Sequence, residues 1–197
     1  MATEGRIVAL ATLLAFAMLS LYGCASSPSE DSDPRPLSGS SAESLSAVRK
    51  PTISIFIVSG CPIARAYAAD LRVLRSDLDR EFHGAIALEL ILAEPGATEA
   101  AATDLVSRYG YPSPVIPDPV MAVARRLGAT SSPEAILTNG EGRVVYRGRI
   151  DDTWTALRRR RESPTKRSLR DAITAMASGV AVSEPTTPVV GCKLELR

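Results

Sequence analysis

The apolar segment from Thr52 to Val58 (TISIFIV) limits most strongly how this chain can fold. It is β-branched or otherwise apolar at almost every position, which is typical of a strand that is buried on both faces. The chain then passes through the tetrapeptide SGCP, which ends in Cys61 and Pro62, and apolar residues recur at helical spacing from Ala64 to Phe82. The sequence therefore predicts a central strand that leads directly into one long helix, with Cys61 at the corner between them.

The rest of the folded part alternates between strand and helix patterns. The candidate elements, in chain order, are a strand at 85–93, helices at 98–109 and 118–127, strands at 134–138 and 143–148, and a last helix between Ser163 and Gly179. The last two strands flank the turn sequence NGEG, which is typical of an antiparallel hairpin. The order β-α-β-α-α-β-β-α predicts an α/β domain over residues 51–180, with a central mixed sheet flanked by helices and an extended tail at 181–197.

The N-terminus has the pattern of an export signal. Arg6 precedes an apolar run from Ile7 to Leu21, which is as long as a signal-peptide core and shorter than the roughly 20 residues that span a bilayer. The run ends in LYGC, which resembles a bacterial lipobox. We therefore expect residues 1–23 to be a signal peptide and Cys24 to carry lipid. The alternative is a plain secretory signal with an incidental cysteine.

Residues 25–50 are rich in Ser, Pro and Asp and contain hardly any bulky apolar side chain. Such a segment cannot bury a core, so we expect a disordered tether that holds the folded domain clear of a membrane. The N-terminal features together predict an exported protein of the cell envelope, anchored to a membrane by lipid and facing the periplasm.

Composition and charge exclude several classes of function. The 23 Lys and Arg residues against 22 Asp and Glu residues give a net charge of +1, so the chain has no overall basic field that would attract nucleic acid. The single histidine, His83, excludes the multi-histidine ligand sets of catalytic zinc or non-haem iron. We expect no metal, no cofactor and no nucleic-acid partner. The three cysteines are left as the residues that carry the chemistry.

Cys61 is the candidate nucleophile. It lies where a buried strand meets the first turn of a helix, and the unpaired N–H groups and partial positive charge of a helix N-terminus favour a thiolate over a thiol. Pro62 suits the first helical position. The alternative is a structural cysteine that packs as a small hydrophobic residue. The corner position favours the reactive cysteine.

The element order, the corner at Cys61 and Pro62, and the pair Ser132 and Pro133 directly before the hairpin together resemble the thioredoxin fold over residues 52–179. The resemblance implies that Pro133 follows a cis peptide bond and lies against the active cysteine. It also implies that the backbone of Ser132 pairs with a bound peptide. Pro62, Ser132 and Pro133 are therefore the expected substrate-binding residues.

Three stretches look like a bacterial group of redoxin-domain, thioredoxin-like proteins: CPIARAYA starting at Cys61, YRGRIDD starting at Tyr146, and VGC ending at Cys192. Ala64 stands where thioredoxins have the second cysteine of Cys-x-x-Cys, so no local disulfide can form. Val58 stands where peroxiredoxins have Thr, which makes peroxide reduction the second choice.

The leading prediction is an exported, membrane-tethered thiol–disulfide oxidoreductase in which the Cys61 thiolate forms a mixed disulfide with protein or small-molecule partners. Resolution must come from Cys192 or from an external thiol. We predict a reversible Cys61–Cys192 disulfide, for which the tail has to fold back across the site. Two alternatives remain: a thiol peroxidase in which Cys192 condenses with a Cys61 sulfenic acid, and a non-catalytic module that binds partners in the same groove.

Overall fold

The computed structural model describes residues 49–196. The predicted signal peptide, the lipidation site Cys24 and almost all of the predicted tether lie outside the described residues. Within 49–196, no helix has the length and apolar character needed to cross a membrane.

The described part of the chain contains nine strands and five helices. The strands are β1 (Thr52–Ile57), β2 (Ala87–Leu92), β3 (Val115–Pro117), β4 (Ser131–Ser132), β5 (Glu134–Thr138), β6 (Val144–Gly148), β7 (Trp154–Ala156), β8 (Arg159–Arg160) and β9 (Cys192–Lys193). The helices are α1 (Pro62–Ala66), α2 (Ala68–Phe82), α3 (Glu99–Tyr109), α4 (Ala122–Leu127) and α5 (Ser168–Ala177).

Five strands form one mixed sheet in the order β3-β2-β1-β5-β6. β1 is parallel to β2, and β2 is parallel to β3, whereas β5 is antiparallel to both β1 and β6. Two further pairs, β4 with β9 and β7 with β8, form small antiparallel sheets. The central position of β1 agrees with its apolar sequence, because a strand with neighbours on both edges and helices on both faces exposes almost no side chain.

Helices cover both faces of the main sheet. Ile53, Ile55 and Ile57 point to the face on which α2, α3 and α5 pack, and Phe56 points to the opposite face, where α4 packs. Each of these four side chains is fully buried, which stabilises the fold by about 1.5–3 kcal/mol per side chain. The predicted α/β thioredoxin-like fold, a mixed sheet between helical layers, is confirmed.

The single long helix expected after Cys61 is two helices. Tyr67 separates α1 from α2, and its N–H donates to the carbonyl oxygens of both Ile63 and Ala64, which tightens the backbone at this point. The Tyr67 ring is buried, and its hydroxyl donates to Asp151 at 2.6 Å. Apolar spacing continues through the break, so the sequence pattern alone could not show it.

Five of the strands, β3, β4, β7, β8 and β9, are not predicted by the sequence patterns. Each is two or three residues long, too short to carry an alternating pattern. The start of α4 also differs: the helix begins at Ala122, although Asp118 still contributes to its cap by accepting the N–H of Ala124 at 2.9 Å. α5 begins at Ser168 rather than directly after Pro164.

Candidate active site

Cys61 is the N-cap residue of α1, directly after the turn that follows β1. Its sulfur accepts the N–H of Ala64 at 3.5 Å, and Pro62 occupies the start of the helix with its ring exposed. The preceding turn is held by Glu94, whose carboxylate accepts the N–H of Ser59 at 2.8 Å and also its hydroxyl. The Cys61 side chain is 0% exposed.

The loop before β5 forms the second side of the site. The Ser132–Pro133 peptide bond is cis, and the carbonyl oxygen of Ser132 lies 3.0 Å from Cys61 Sγ. The Ser132 hydroxyl accepts the N–H of Val58 at 2.9 Å and lowers the pKa of Cys61. Glu134 holds this loop in place, because its carboxylate accepts the N–H groups of Thr130 and Ser131 at 2.8 and 2.9 Å.

The C-terminal tail forms the third side. β9 pairs antiparallel with β4, which places Cys192 opposite Ser132 and Lys193 opposite Ser131. The N–H of Leu194 then donates to the carbonyl oxygen of Thr130 at 2.9 Å. The backbone of Ser132, which the fold resemblance assigns to a bound peptide, is thus paired with the chain's own tail.

Two glycines allow the tail to come this close. A Cβ atom at Gly191 would overlap with the carbonyl group of Ser132. At the end of β6, a Cβ atom at Gly148, which has a φ of +143°, would overlap with Thr187 of the tail. The Thr187 hydroxyl accepts the N–H of Arg149 at 3.1 Å and lies 2.8 Å from the Tyr146 hydroxyl. These contacts hold the tail at two points before it reaches Cys61.

The two described cysteines are free thiols, and each shifts the pKa of the other. Burial raises the pKa of Cys61, but hydrogen bonds from the Cys192 thiol and from the N–H groups of Ala64 and Cys192 outweigh burial, so the pKa of Cys61 falls below its ordinary value. Burial and the negative charge of Cys61 raise the pKa of Cys192 to about 11. The thiolate is therefore favoured at Cys61 relative to Cys192.

The structure brings Cys61, Pro62, Ser132, Pro133 and Cys192, all of them expected site residues, to one end of the main sheet. Sequence reasoning did not identify Glu94, Glu134 or Thr187, which position the three segments of the site, and it assigned no positioning role to Gly191. A carboxylate at the start of an otherwise apolar strand was the available signal for Glu134.

Tyr111 is a further residue that the sequence did not single out. Its side chain is buried, and its hydroxyl has no hydrogen-bond partner among the described residues. Burial raises the pKa of Tyr111, and the charge of Cys61 raises it further, which places this hydroxyl in the electrostatic surroundings of the cysteine pair.

No group of three or more His, Cys, Asp or Glu residues within 49–196 is arranged to hold a metal ion. The adjacent carboxylates Asp151 and Asp152 instead hold protein groups. Asp151 accepts the hydroxyl of Tyr67 and the N–H of Thr153, and Asp152 accepts the N–H groups of residues 165 and 166.

No protein-family model matches the chain, and no curated protein matches it. Among solved structures, an uncharacterized conserved protein from Geobacillus kaustophilus superimposes with a TM-score of 0.65 at 23% identity, over 78% of this chain and 82% of that protein. A hypothetical protein from Sinorhizobium meliloti 1021 superimposes with a TM-score of 0.60 at 25% identity, over 76% and 81% of the two chains.

A secreted disulfide oxidoreductase from Mycobacterium tuberculosis gives a TM-score of 0.42 at 17% identity, over 68% of this chain and 84% of that protein. A likeness at this level carries no argument about activity. The overall fold of this chain is thus shared with the Geobacillus and Sinorhizobium proteins, and its strand order and cis-proline loop are those of the thioredoxin-like fold.

Proposed function

We propose that this protein is an exported thiol–disulfide oxidoreductase whose redox pair is Cys61 and Cys192. The observation that carries this proposal is the position of Cys192 opposite Ser132 in the β4–β9 pair, because the carbonyl oxygen of the same Ser132 lies 3.0 Å from Cys61 Sγ. The thiol and N–H of Cys192 also lower the pKa of Cys61. Because both cysteines adjoin Ser132, we expect a disulfide between them to need only local adjustment of the tail.

The reaction is a reversible exchange of two electrons and two protons with a partner. When the protein is oxidised, a sulfur–sulfur bond forms between Cys61 and Cys192, the disulfide of the partner breaks, and the partner leaves as two thiols. In the opposite direction the Cys61–Cys192 bond breaks and the thiols of the partner become a disulfide. Neither direction requires a cofactor.

Ala64 supports the assignment of Cys192 as the second sulfur. In a Cys-x-x-Cys site the residue at the position of Ala64 would carry the second sulfur. Here the Ala64 side chain is a fully buried methyl group, and the backbone N–H of Ala64 donates to the Cys61 sulfur. The second thiol therefore comes from the tail, which reaches the site from the far end of the chain.

The proposal includes export and a lipid anchor at Cys24. An extracytoplasmic location suits the cysteine pair, because disulfides persist in oxidising compartments and are rare in the cytosol. The partners would be proteins or small molecules that carry a disulfide or a pair of thiols.

Peptide mapping under non-reducing conditions tests the pair. The full chain is oxidised with glutathione disulfide, quenched with acid and digested; we expect one peptide pair linked through Cys61 and Cys192, which disappears after reduction. Cys61→Ser and Cys192→Ser are the matched controls, and each should abolish the linked peptide pair and leave the remaining cysteine free or joined to glutathione. Recovery of both cysteines unlinked, or linked only between chains, would contradict the proposal.

The same preparations separate the two alternatives. A thiol peroxidase would consume hydrogen peroxide at a rate that depends on Cys61. A non-catalytic binding module would bind its partners equally well after Cys61→Ser. We expect neither result.

A further inference from the structure

We propose that Cys192, and not Cys61, is the sulfur that exchanges with partners, and that the protein acts mainly as a donor of its disulfide to partner thiols. This inference rests on the redox pair of the proposed function and adds the point of attack and the direction of electron flow. It reverses the sequence-based expectation that Cys61 attacks the partner and Cys192 resolves the mixed disulfide.

Access is the first reason. Cys61 is 0% exposed, with Ser132 on one side and β9 on the other, whereas Cys192 is partly exposed. A thiolate has to approach one of the two sulfurs of a disulfide directly, so access decides which sulfur is attacked. In the folded protein only Cys192 offers such an approach.

The occupied peptide edge is the second reason. An extended partner peptide that paired with the backbone of Ser132 would present its sulfur to Cys61 by strand addition. That edge is already taken by Cys192 and Lys193, and Gly191 lies against the carbonyl group of Ser132 too closely for any side chain to fit. A partner therefore meets the tail before it can meet Cys61.

The chemistry of the leaving group is the third reason. A partner thiolate attacks Cys192 Sγ, the Cys61–Cys192 bond breaks, and Cys61 takes the electron pair as a thiolate at the start of α1. The N–H of Ala64 and the hydroxyl of Ser132 then stabilise that thiolate, and a stabilised thiolate leaves faster. A second thiolate of the partner breaks the mixed disulfide at its own sulfur. The partner is released as a disulfide, and the Cys192 thiolate takes up a proton.

The reduced protein is poorly arranged for the opposite reaction. The cysteine that favours the thiolate is covered, and the exposed cysteine is held as a thiol by its negatively charged neighbour. Attack on a partner disulfide needs an accessible thiolate, so the reduced protein reacts with disulfides slowly while β9 is in place. The contacts that stabilise the Cys61 thiolate also stabilise the reduced protein, which makes the pair an oxidant of partner dithiols.

The wild-type full chain provides the main test. The oxidised protein is mixed with reduced glutathione, quenched with acid within the first turnover, labelled with N-ethylmaleimide in denaturant and mapped by mass spectrometry. We expect glutathione on Cys192 and maleimide on Cys61, in excess of the opposite arrangement by about tenfold or more. Glutathione found mainly on Cys61 would overturn the inference while leaving the redox pair intact. Absence of the Cys61–Cys192 disulfide before glutathione is added would instead overturn the proposed function.

A pair of tail variants tests whether β9 shields Cys61 from reagents in solution. Gly191→Ala should displace β9 and increase the limiting alkylation rate of reduced Cys61 by iodoacetamide, taken from the plateau of its pH dependence and read at Cys61 by mass spectrometry, by about tenfold or more. Lys193→Ala is the matched control, because its side chain is exposed while its backbone forms the same strand pair; it should leave the rate unchanged. Far-UV circular dichroism checks that both variants are folded, and equal rates in the two folded variants would overturn the role of the tail.

Discussion

Ser132 and Cys192 are opposite residues of a two-stranded antiparallel sheet, and the carbonyl oxygen of Ser132 lies 3.0 Å from Cys61 Sγ. The loop that ends in Pro133 therefore contacts both cysteines, one through its backbone pairing and the other through its carbonyl and hydroxyl groups. The C-terminal tail is a structural part of the site, because β9 pairs with the same loop whose carbonyl group contacts Cys61.

The Cys192 thiol should lower the pKa of Cys61, because a hydrogen-bond donor stabilises a thiolate. Cys192→Ala removes the donor and should raise the pKa of Cys61, whereas Cys192→Ser keeps a donor and should change it less. The pH dependence of alkylation of Cys61, followed by mass spectrometry, measures both variants. An unchanged pKa in Cys192→Ala would show that the thiol contact does not stabilise the charge.

Gly148→Ala should loosen the tail where Thr187 packs on β6. A methyl group there would overlap with Thr187, so we expect the free energy of unfolding to fall by about 2 kcal/mol or more, as for other overpacked positions. Gly142→Ala is the control, because Gly142 also has a positive φ, +79°, but has no atom within 4 Å of the added Cβ. Urea unfolding compares the two, and equal losses would show that the cost is backbone strain alone.

Two buried tyrosines should respond in opposite ways to loss of the hydroxyl. The Tyr146 hydroxyl donates to the carbonyl oxygen of Arg149 at 2.6 Å and contacts Thr187, so Tyr146→Phe should lower the free energy of unfolding by about 1–3 kcal/mol. The Tyr111 hydroxyl has no partner among residues 49–196, so Tyr111→Phe should be neutral or stabilising. Thermal unfolding measures both, and a destabilised Tyr111→Phe would indicate a partner for that hydroxyl.

Asp152 should make the stability of the domain depend on pH in the acid range. Hydrogen bonds from the Thr165 hydroxyl and the N–H of Lys166 lower the pKa of Asp152 to about 2. A depressed carboxyl pKa stabilises the native state above the unfolded value of about 3.9, and this stabilisation is lost as the pH falls towards about 2. Asp152→Asn should flatten the dependence of unfolding free energy on pH between these values. An equal slope in the wild-type protein and in Asp152→Asn would contradict the assignment.

Cys24 should be acylated, and the mature chain should fractionate with membranes. A single acyl chain gives only marginal binding, so stable attachment needs more than one. Cys24→Ala should release the protein into the soluble fraction while leaving the Cys61–Cys192 pair able to form. Mass spectrometry of the N-terminal peptide checks the modification, and a free thiol on Cys24 in a soluble wild-type protein would contradict the lipid anchor.

Local signals explain why several elements could be predicted. α3 runs from Glu99 to Tyr109 between a Thr98 cap, whose hydroxyl accepts the N–H of Ala101, and Gly110 in the left-handed conformation, and both ends are visible as residue types. The hairpin of β5 and β6 has its turn residues in the sequence, and β1 has its apolar run. In each case the information lies within a few neighbouring residues.

The break at Tyr67 and the hairpin of β7 and β8 could not be predicted in this way. The break depends on the hydrogen bond from the Tyr67 hydroxyl to Asp151, which lies far along the chain. The second depends on Asp152, which accepts N–H groups at residues 165 and 166 and closes the loop around the hairpin. Neither contact leaves a periodic pattern in the sequence.

The sequence by itself determined the strand–helix corner and the presence of a cysteine there, because the apolar strand, the cysteine and the helix-starting proline follow one another directly in the chain. Only the tertiary structure decided that Cys192 lies against that corner and covers it. The tail reaches Cys61 through contacts of Thr187 with Gly148 and of Gly191 with Ser132, and such contacts depend on how distant segments pack. Burial of Cys61 and partial exposure of Cys192 follow from that packing, which a local sequence pattern cannot record.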